Sequence, residues 1–199
     1  MALGATNAPQ VATAESSQLQ LYLRLVLSYK DFKHAKRCCE YLVAEHAALV
    51  ERGGDDLTLR ALYCYMIVSY ARPFNSFWTS RLGRVPPLRD EYLSMLTPDD
   101  LELHKYILWC RNKLIAHADA EAVDPLPYVA TDLPGDMVIP ETNDSLAPFT
   151  LEVTQKVLVL LENALRWAVL LRRELEPQIL HLLERRQLNP GDHPHHVGT

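Results

Sequence analysis

Apolar residues recur every three or four positions along most of the chain, a spacing that predicts helices rather than strands. Glycine, proline and capping residues divide this pattern into segments, and the predicted N-caps include Ser16 or Ser17, Thr97 and Thr150. The predicted helices cover about 16–29, 31–52, 57–72, 87–96, 101–119 and 151–175, with a final segment to about 188. Because no strong breaker separates the first two, they form either a hairpin or a single bent helix. We therefore predict an all-α fold, a helical bundle of five to seven helices.

A proline-rich excursion between Asp119 and Ala147 interrupts the helical pattern before the last long helix. Its prolines exclude a regular helix, and the connection is long by ordinary standards. Two short β-patterned runs, 128–131 and 137–139, flank a Pro-Gly turn and predict a small hairpin. Since the excursion follows the 101–119 helix directly, it is either a flap over a site on that helix or an ordered surface segment.

Length and composition indicate one globular domain. The 199 residues are 48% hydrophobic and 23% charged, which is typical of a folded domain with a sizeable core. We assign 1–15 to a flexible N-terminus, 16–188 to a single helical domain and 189–199 to a disordered tail. The net charge of -5 argues against a broad basic surface for nucleic acid, but it leaves room for a few cations in one cleft.

Several motif classes are missing from the sequence. The cysteines Cys38, Cys39, Cys64 and Cys110 show no zinc-ligand spacing, so we expect inert core thiols in a reducing compartment. There is no secretory signal and no run of about 18 apolar residues. We therefore expect a soluble cytoplasmic protein with no membrane partner. Without a glycine-rich phosphate loop or a paired-histidine motif, we predict neither a cofactor nor a metal ion.

The helix predicted for Leu101–Asp119 carries the chemistry that can be read from this sequence. Drawn as an α-helix, it has an apolar arc with Arg111 at its centre, Asn112 near one edge and His117 at the other. The charged side chains on its opposite face are Glu102, Lys105 and Lys113. A permanently charged guanidinium on a burying face must be ion-paired, reach solvent, or line a polar cleft.

The motif RNKLIAHAD, residues 111–119, resembles the signature of the HEPN superfamily, in which an arginine precedes a histidine by a short helical interval. A polar residue often follows that arginine, and here it is Asn112. The segment is also similar to HEPN proteins of abortive-infection and toxin–antitoxin systems. The resemblance implies a metal-independent endoribonuclease with catalytic residues Arg111, Asn112 and His117, acting as a toxin or in antiviral defence.

The resemblance also implies a division of labour in a cleft shared by two subunits. His117 titrates near neutrality and suits acid–base catalysis, whereas the Arg111 fork suits the phosphate. Asn112 could orient either group. On a continuous α-helix Arg111 and His117 lie about 120° apart, so a second copy of the helix could complete the site. Expected partners are an RNA substrate, a second copy bound through this helix, and an antitoxin or regulatory protein.

The sequence departs from the HEPN pattern at one position, and it allows two other interpretations. HEPN toxins controlled by a nucleotidyltransferase often carry tyrosine where this chain has Asp119, which argues against that mechanism of control. The acidic net charge favours a catalytically silent HEPN-like dimer that serves as an adaptor or nucleotide-binding module. A third interpretation is an unrelated helical interaction protein in which Arg111 is ion-paired.

Overall fold

The computed structural model describes residues 8–51, 57–79, 83–88, 90–115, 127–130, 137–139 and 149–183. Within these ranges the chain is mostly helical, which confirms the predicted all-α class. The helices are α1 (Ala8–Ala44), α2 (His46–Glu51), α3 (Leu57–Ala71), α4 (Asp90–Leu93), α5 (Pro98–Trp109) and α6 (Leu151–Ile179). Two 3₁₀ turns cover Arg72–Phe74 and Leu180–Leu182, and a π-helical segment covers Cys110–Ile115.

Helix α1 is unbroken, so the single-helix alternative for the first two predicted segments is correct. It begins at Ala8, ahead of the predicted start at Ser16 or Ser17, and it ends at a turn at Glu45. Residues 10–52 contain neither glycine nor proline, and Pro9 lies in the first turn, where its missing N–H costs no hydrogen bond. Although α1 and α6 are long, no described helix is apolar enough over sufficient length to cross a membrane.

Two small antiparallel hairpins accompany the helices. Strand β3 (Tyr128–Ala130) pairs with β4 (Met137–Ile139), which confirms the hairpin predicted in the proline-rich excursion. Strand β1 (Phe77–Thr79) pairs with β2 (Gly83–Val85) and was not predicted. Unlike β3 and β4, these strands do not flank a Pro-Gly turn, so the sequence carries no hairpin signal there.

The hydrophobic core lies where α1 packs against both α3 and α6. Helix α5 and the π segment close it against α3 through Ile107 and Cys110, which are buried. Burial of each large apolar side chain contributes about 1.5–3 kcal/mol to the free energy of unfolding. The largest fully buried side chains include Leu25, Phe32, Met66, Tyr70, Tyr92, Leu160 and Leu161.

A buried arginine fastens the β1–β2 hairpin to α1. Arg24 is 4% exposed, and its Nε donates to the carbonyl oxygen of Pro86 at 2.9 Å while Nη2 donates to that of Asn75. Its guanidinium carbon lies 4.3 Å from the centroid of the Phe77 ring, an attractive cation–π distance. Desolvation lowers the pKa of Arg24 to about 10, with a nearby carboxylate, Asp31, opposing the shift. The cation therefore fixes Asn75 beside the cavity described below.

Candidate functional site

The helix that carries the motif starts where its sequence predicts. Thr97 caps α5, accepting a hydrogen bond at Oγ1 from the backbone N–H of Asp100 at 3.2 Å. Pro98 occupies the first turn, and Asp99 and Asp100 place negative charge at the positive end of the helix dipole. This capping arrangement contributes about 1 kcal/mol and fixes the direction in which α5 leaves the loop.

The continuous α-helix predicted for 101–119 is wrong over Cys110–Ile115, and residues 116–119 lie outside the described residues. There the chain changes to π-helical geometry over Cys110–Ile115, in which each N–H bonds the fifth residue before it and the turn widens. Arg111 and Asn112 lie on this widened turn, so the α-helical angle between Arg111 and His117 does not apply. His117 itself lies outside the described residues. Single π turns are frequent at functional sites, which makes this segment a candidate for one.

Arg111 is half-buried and is held by its neighbour. Its Nη1 donates a hydrogen bond to Oδ1 of Asn112 at 2.7 Å, and Asn112 is exposed. No carboxylate in the described part of the chain pairs with Arg111. The ion-pair interpretation of Arg111 therefore finds no partner among those residues.

A cavity of about 420 Å³ lies beside Arg111 and Asn112. This volume falls in the range of about 300–1,000 Å³ that is usual for small-molecule sites. Four of its wall residues come from α5 and the π segment, and the others come from the 3₁₀ turn after α3, the residue that follows this turn, the segment before α4 and the end of α4. The cavity is lined by Phe74, Asn75, Leu88, Leu93, His104, Leu108, Arg111 and Asn112. The lining therefore combines polar and apolar side chains.

His104 is the most deeply buried polar residue of this cavity, at 4% exposure. Its Nδ1 lies 2.9 Å from the hydroxyl oxygen of Tyr70, which in turn lies 3.3 Å from that of Tyr92. The Phe74 ring packs edge-on against the imidazole, with centroids 4.5 Å apart. Burial, and to a smaller degree the charge of Lys105, lowers the pKa of His104 to about 4. The imidazole is therefore neutral at neutral pH.

The sequence prediction missed His104, although a signal was present. On the α-helical wheel of 101–119, His104 falls between Arg111 and Ile115, inside the apolar arc. That position indicates burial and proximity to Arg111. It does not reveal the neighbours that bury it, because Tyr70, Phe74 and Tyr92 come from distant segments of the chain.

The prediction for the charged face is confirmed, and three of the four cysteines, Cys38, Cys39 and Cys110, lie in the core as predicted. Glu102, Lys105 and Lys113 are exposed. Cys38, Cys39 and Cys110 are buried free thiols, and Cys64 is a half-buried one. Desolvation raises the pKa of all four thiols. In the described part of the chain, no group of three histidine, cysteine or acidic side chains is arranged to hold a metal ion.

A second cavity, of about 600 Å³, lies between α5 and α6. Its rim carries Asp99, Asp100 and Glu102, opposed by Lys156, and the ammonium of Lys156 is itself paired with Glu152 at 2.7 Å. An acidic rim repels phosphate. Of the two cavities, the one beside Arg111 is therefore the better candidate for an anionic ligand, although it is the smaller.

No protein-family model, curated protein or solved structure matches this chain. The HEPN resemblance of residues 111–119 therefore stays a prediction that rests on the motif. The geometry of Arg111, Asn112 and the adjoining cavity stands independently of it.

Proposed function

We propose that the protein is a metal-independent endoribonuclease of HEPN type, with a role as a toxin or in antiviral defence. The observation that supports this is the placement of Arg111. Its guanidinium is held by Asn112 at the edge of a 420 Å³ cavity, and no described carboxylate pairs with it. The planar fork of a guanidinium binds a phosphate through paired hydrogen bonds, so a phosphodiester is its natural counterpart.

The reaction is attack of an RNA 2′-hydroxyl on the adjacent phosphorus. The bond from the 2′ oxygen to phosphorus forms and the bond to the 5′ oxygen breaks, which leaves a 2′,3′-cyclic phosphate and a 5′-hydroxyl. Arg111 stabilises the charge that develops on the phosphoryl oxygens. His117 exchanges the protons, since an imidazole can both accept and donate one near neutral pH. His104 is unsuited to that role because burial lowers its pKa to about 4 and keeps it neutral.

A homodimer through the motif helix is part of the proposal. Tyr106 and Trp109 of α5 are 46% and 44% exposed, and their rings are stacked with centroids 6.0 Å apart. A pair of exposed aromatic rings offers apolar area of the kind that anchors protein interfaces. A second copy of α5 seated on this pair would bring a second motif close to the first, giving the composite cleft that the resemblance implies.

The test is cleavage of a structured RNA in excess EDTA, with analysis of the product ends. We expect the wild-type protein to produce 2′,3′-cyclic phosphate ends, and His117→Ala to lose activity by roughly 100-fold or more, the usual share of a general acid or base. RNA with 2′-O-methyl groups at the cleaved positions should remain intact. Cleavage of the methylated RNA, or products with 3′-hydroxyl ends, would contradict the proposed reaction.

The second candidate is a catalytically silent HEPN-like dimer that acts as an adaptor or nucleotide-binding module. The net charge of -5 favours it, because an acidic protein gains little from long-range attraction to RNA. Intact RNA with the wild-type protein, together with dimerisation in solution, would support this candidate instead.

A further inference from the structure

We propose that the cavity beside Arg111 seats the base of a single nucleotide whose phosphate is bound by Arg111. The inference rests on the proposed function, since it names the part of the RNA substrate that the same site holds. It assigns a specificity-determining role to residues outside the motif, chiefly Asn75 and His104.

The mixed lining of the cavity favours a planar ring with polar edges. Phosphate alone would leave the apolar walls formed by Phe74, Leu93 and Leu108 in contact with water. A purely apolar ligand would leave the remaining hydrogen-bonding capacity of the imidazole, the amides and the guanidinium unused, which costs free energy. A nucleobase suits both the apolar and the polar lining residues, because its faces stack on apolar or aromatic surfaces and its edge forms hydrogen bonds.

Phe74, one of the apolar residues that line the cavity, is held rigidly. The ring of Phe74 packs at 4.5 Å against His104, at 5.0 Å against Tyr92 and at 5.5 Å against Tyr70, measured between centroids. Phe74 is half-buried, and its remaining surface lines the cavity. A ring fixed on several sides loses little conformational entropy when a ligand packs against it, which favours binding.

His104 lines the cavity and has one ring nitrogen, Nε2, that bonds no described residue. Tyr70 is its only hydrogen-bond partner among the described residues, and the bond is made at Nδ1. In a neutral ring either tautomer leaves Nε2 able to form one hydrogen bond, as donor or as acceptor. The neutral state, fixed by burial, keeps positive charge away from the base and leaves it at Arg111, where the phosphate binds.

Asn75 supplies an oriented acceptor at the cavity wall. Its Nδ2 donates to the carbonyl oxygen of Ala71 at 3.1 Å, which fixes the amide and leaves Oδ1 as the acceptor for a ligand N–H. Arg24 holds the backbone of the same residue. An acceptor in a fixed position discriminates between bases, because it favours an edge that presents an N–H and disfavours one that presents a lone pair.

The test measures binding of the four nucleoside 3′-monophosphates and of inorganic phosphate by calorimetry, in EDTA. We expect at least one nucleotide to bind at least tenfold more tightly than phosphate. Leu93→Trp, at a 37% exposed position of the cavity wall, should fill the cavity and weaken the binding of that nucleotide at least tenfold. The matched control Leu170→Trp, on α6 and 53% exposed, should bind as the wild type does. Asn75→Ala should narrow the differences among the four nucleotides.

NMR of the wild-type protein tests the same cavity if Leu93→Trp does not fold. The ring-proton NMR signal of His104 should shift when the preferred nucleotide is added and stay unchanged with phosphate. Binding of a dinucleotide, measured in parallel, distinguishes a base within an RNA chain from the base of a free nucleotide. Tighter binding of the dinucleotide supports a base within an RNA chain, and tighter binding of the mononucleotide supports a free nucleotide; either result supports the seat.

The seat is rejected if nucleotides bind no more tightly than phosphate, or if Leu93→Trp binds them as the wild type does. Its failure is distinct from failure of the endoribonuclease proposal. If Leu93→Trp cleaves RNA at the wild-type rate, the cavity does not bind the base, but the endoribonuclease proposal stands. If Leu93→Trp blocks nucleotide binding and the wild-type protein does not cleave RNA, the cavity binds the base, but the endoribonuclease proposal is wrong.

Discussion

His104 Nδ1 lies 2.9 Å from the hydroxyl oxygen of Tyr70, and this contact ties the motif helix to α3. The Tyr70 hydroxyl lies 3.3 Å from that of Tyr92 in α4, so one buried chain of polar groups connects three helices. Burial raises the pKa of both phenols and lowers that of the imidazole. All three groups are therefore uncharged at neutral pH, and His104 serves the fold and the cavity wall rather than proton transfer.

Stability should decrease in acid because of His104. Its pKa is about 4 in the folded protein and 6.5 when unfolded, so between these values the unfolded chain binds more protons and folding weakens as the pH falls. The full effect, on the order of 3 kcal/mol, is reached near pH 4 and is absent above about pH 6.5. Urea unfolding from pH 7 to pH 4 measures it.

The matched control for the acid effect is His104→Asn, which is less stable at neutral pH but should lose less stability on acidification. Other groups that titrate in this range, among them Asp31, whose pKa burial raises, are common to both proteins. Parallel pH dependences for the two proteins would show that His104 does not titrate as described.

Replacement of Arg24 should destabilise the fold. Arg24→Met leaves the carbonyl oxygens of Pro86 and Asn75 without their donor and removes the contact with Phe77. We expect a loss of about 2–4 kcal/mol in the free energy of unfolding, measured in urea. Arg37→Met, an exposed position on the same helix, should change it by less than about 0.5 kcal/mol. If the two substitutions lowered the free energy of unfolding equally, Arg24 would not hold the β1–β2 hairpin as described.

The thiols should differ in reactivity in the native protein. Cys38, Cys39 and Cys110 are buried, and burial raises the pKa of Cys39 to about 12, so the reactive thiolate is scarce and inaccessible. With a thiol reagent at pH 8, half-buried Cys64 should react first and the other three only on unfolding. A Cys64→Ser variant should show no early phase. An early phase that persists in this variant would mean that one of the buried thiols is accessible.

The proposed dimer makes a prediction about Trp109. Trp109→Glu places a charge within the exposed aromatic pair and should weaken self-association at least 30-fold, the effect of losing an interface residue worth about 2 kcal/mol. RNA cleavage should fall with it. Trp78→Glu, at a 77% exposed tryptophan of β1, is the matched control. Light scattering over a concentration series measures association, and a Trp109→Glu protein that associates as the wild type does would exclude this face.

The elements that could be predicted from the sequence are those fixed by local chemistry. Thr97 and Thr150 cap α5 and α6 as expected, because a hydroxyl that bonds a nearby backbone N–H needs no distant partner. The β3–β4 hairpin follows from two short β-patterned runs around a Pro-Gly turn. The continuity of α1 follows from the absence of glycine and proline over residues 10–52.

The elements that could not be predicted depend on contacts between distant segments. The helical wheel assumes α-helical geometry, so it could not anticipate the π turn at Cys110 or the resulting position of Asn112. Burial of Arg24 depends on carbonyl groups more than fifty residues away. The cavity needs Phe74 and Leu88 to approach α5, which is a property of the packed bundle.

The most direct measurement for the endoribonuclease is the single-turnover rate of RNA cleavage in EDTA for three variants at two arginines. We predict that Arg111→Ala lowers the rate roughly 100- to 1,000-fold, as expected when a group that stabilises developing charge is removed. The rate for Arg111→Lys should lie between those of Arg111→Ala and the wild type, since lysine keeps the charge but lacks the planar guanidinium. Arg37→Ala should cleave at the wild-type rate. Equal rates for Arg111→Ala and the wild type would contradict the assignment of Arg111 to the phosphate.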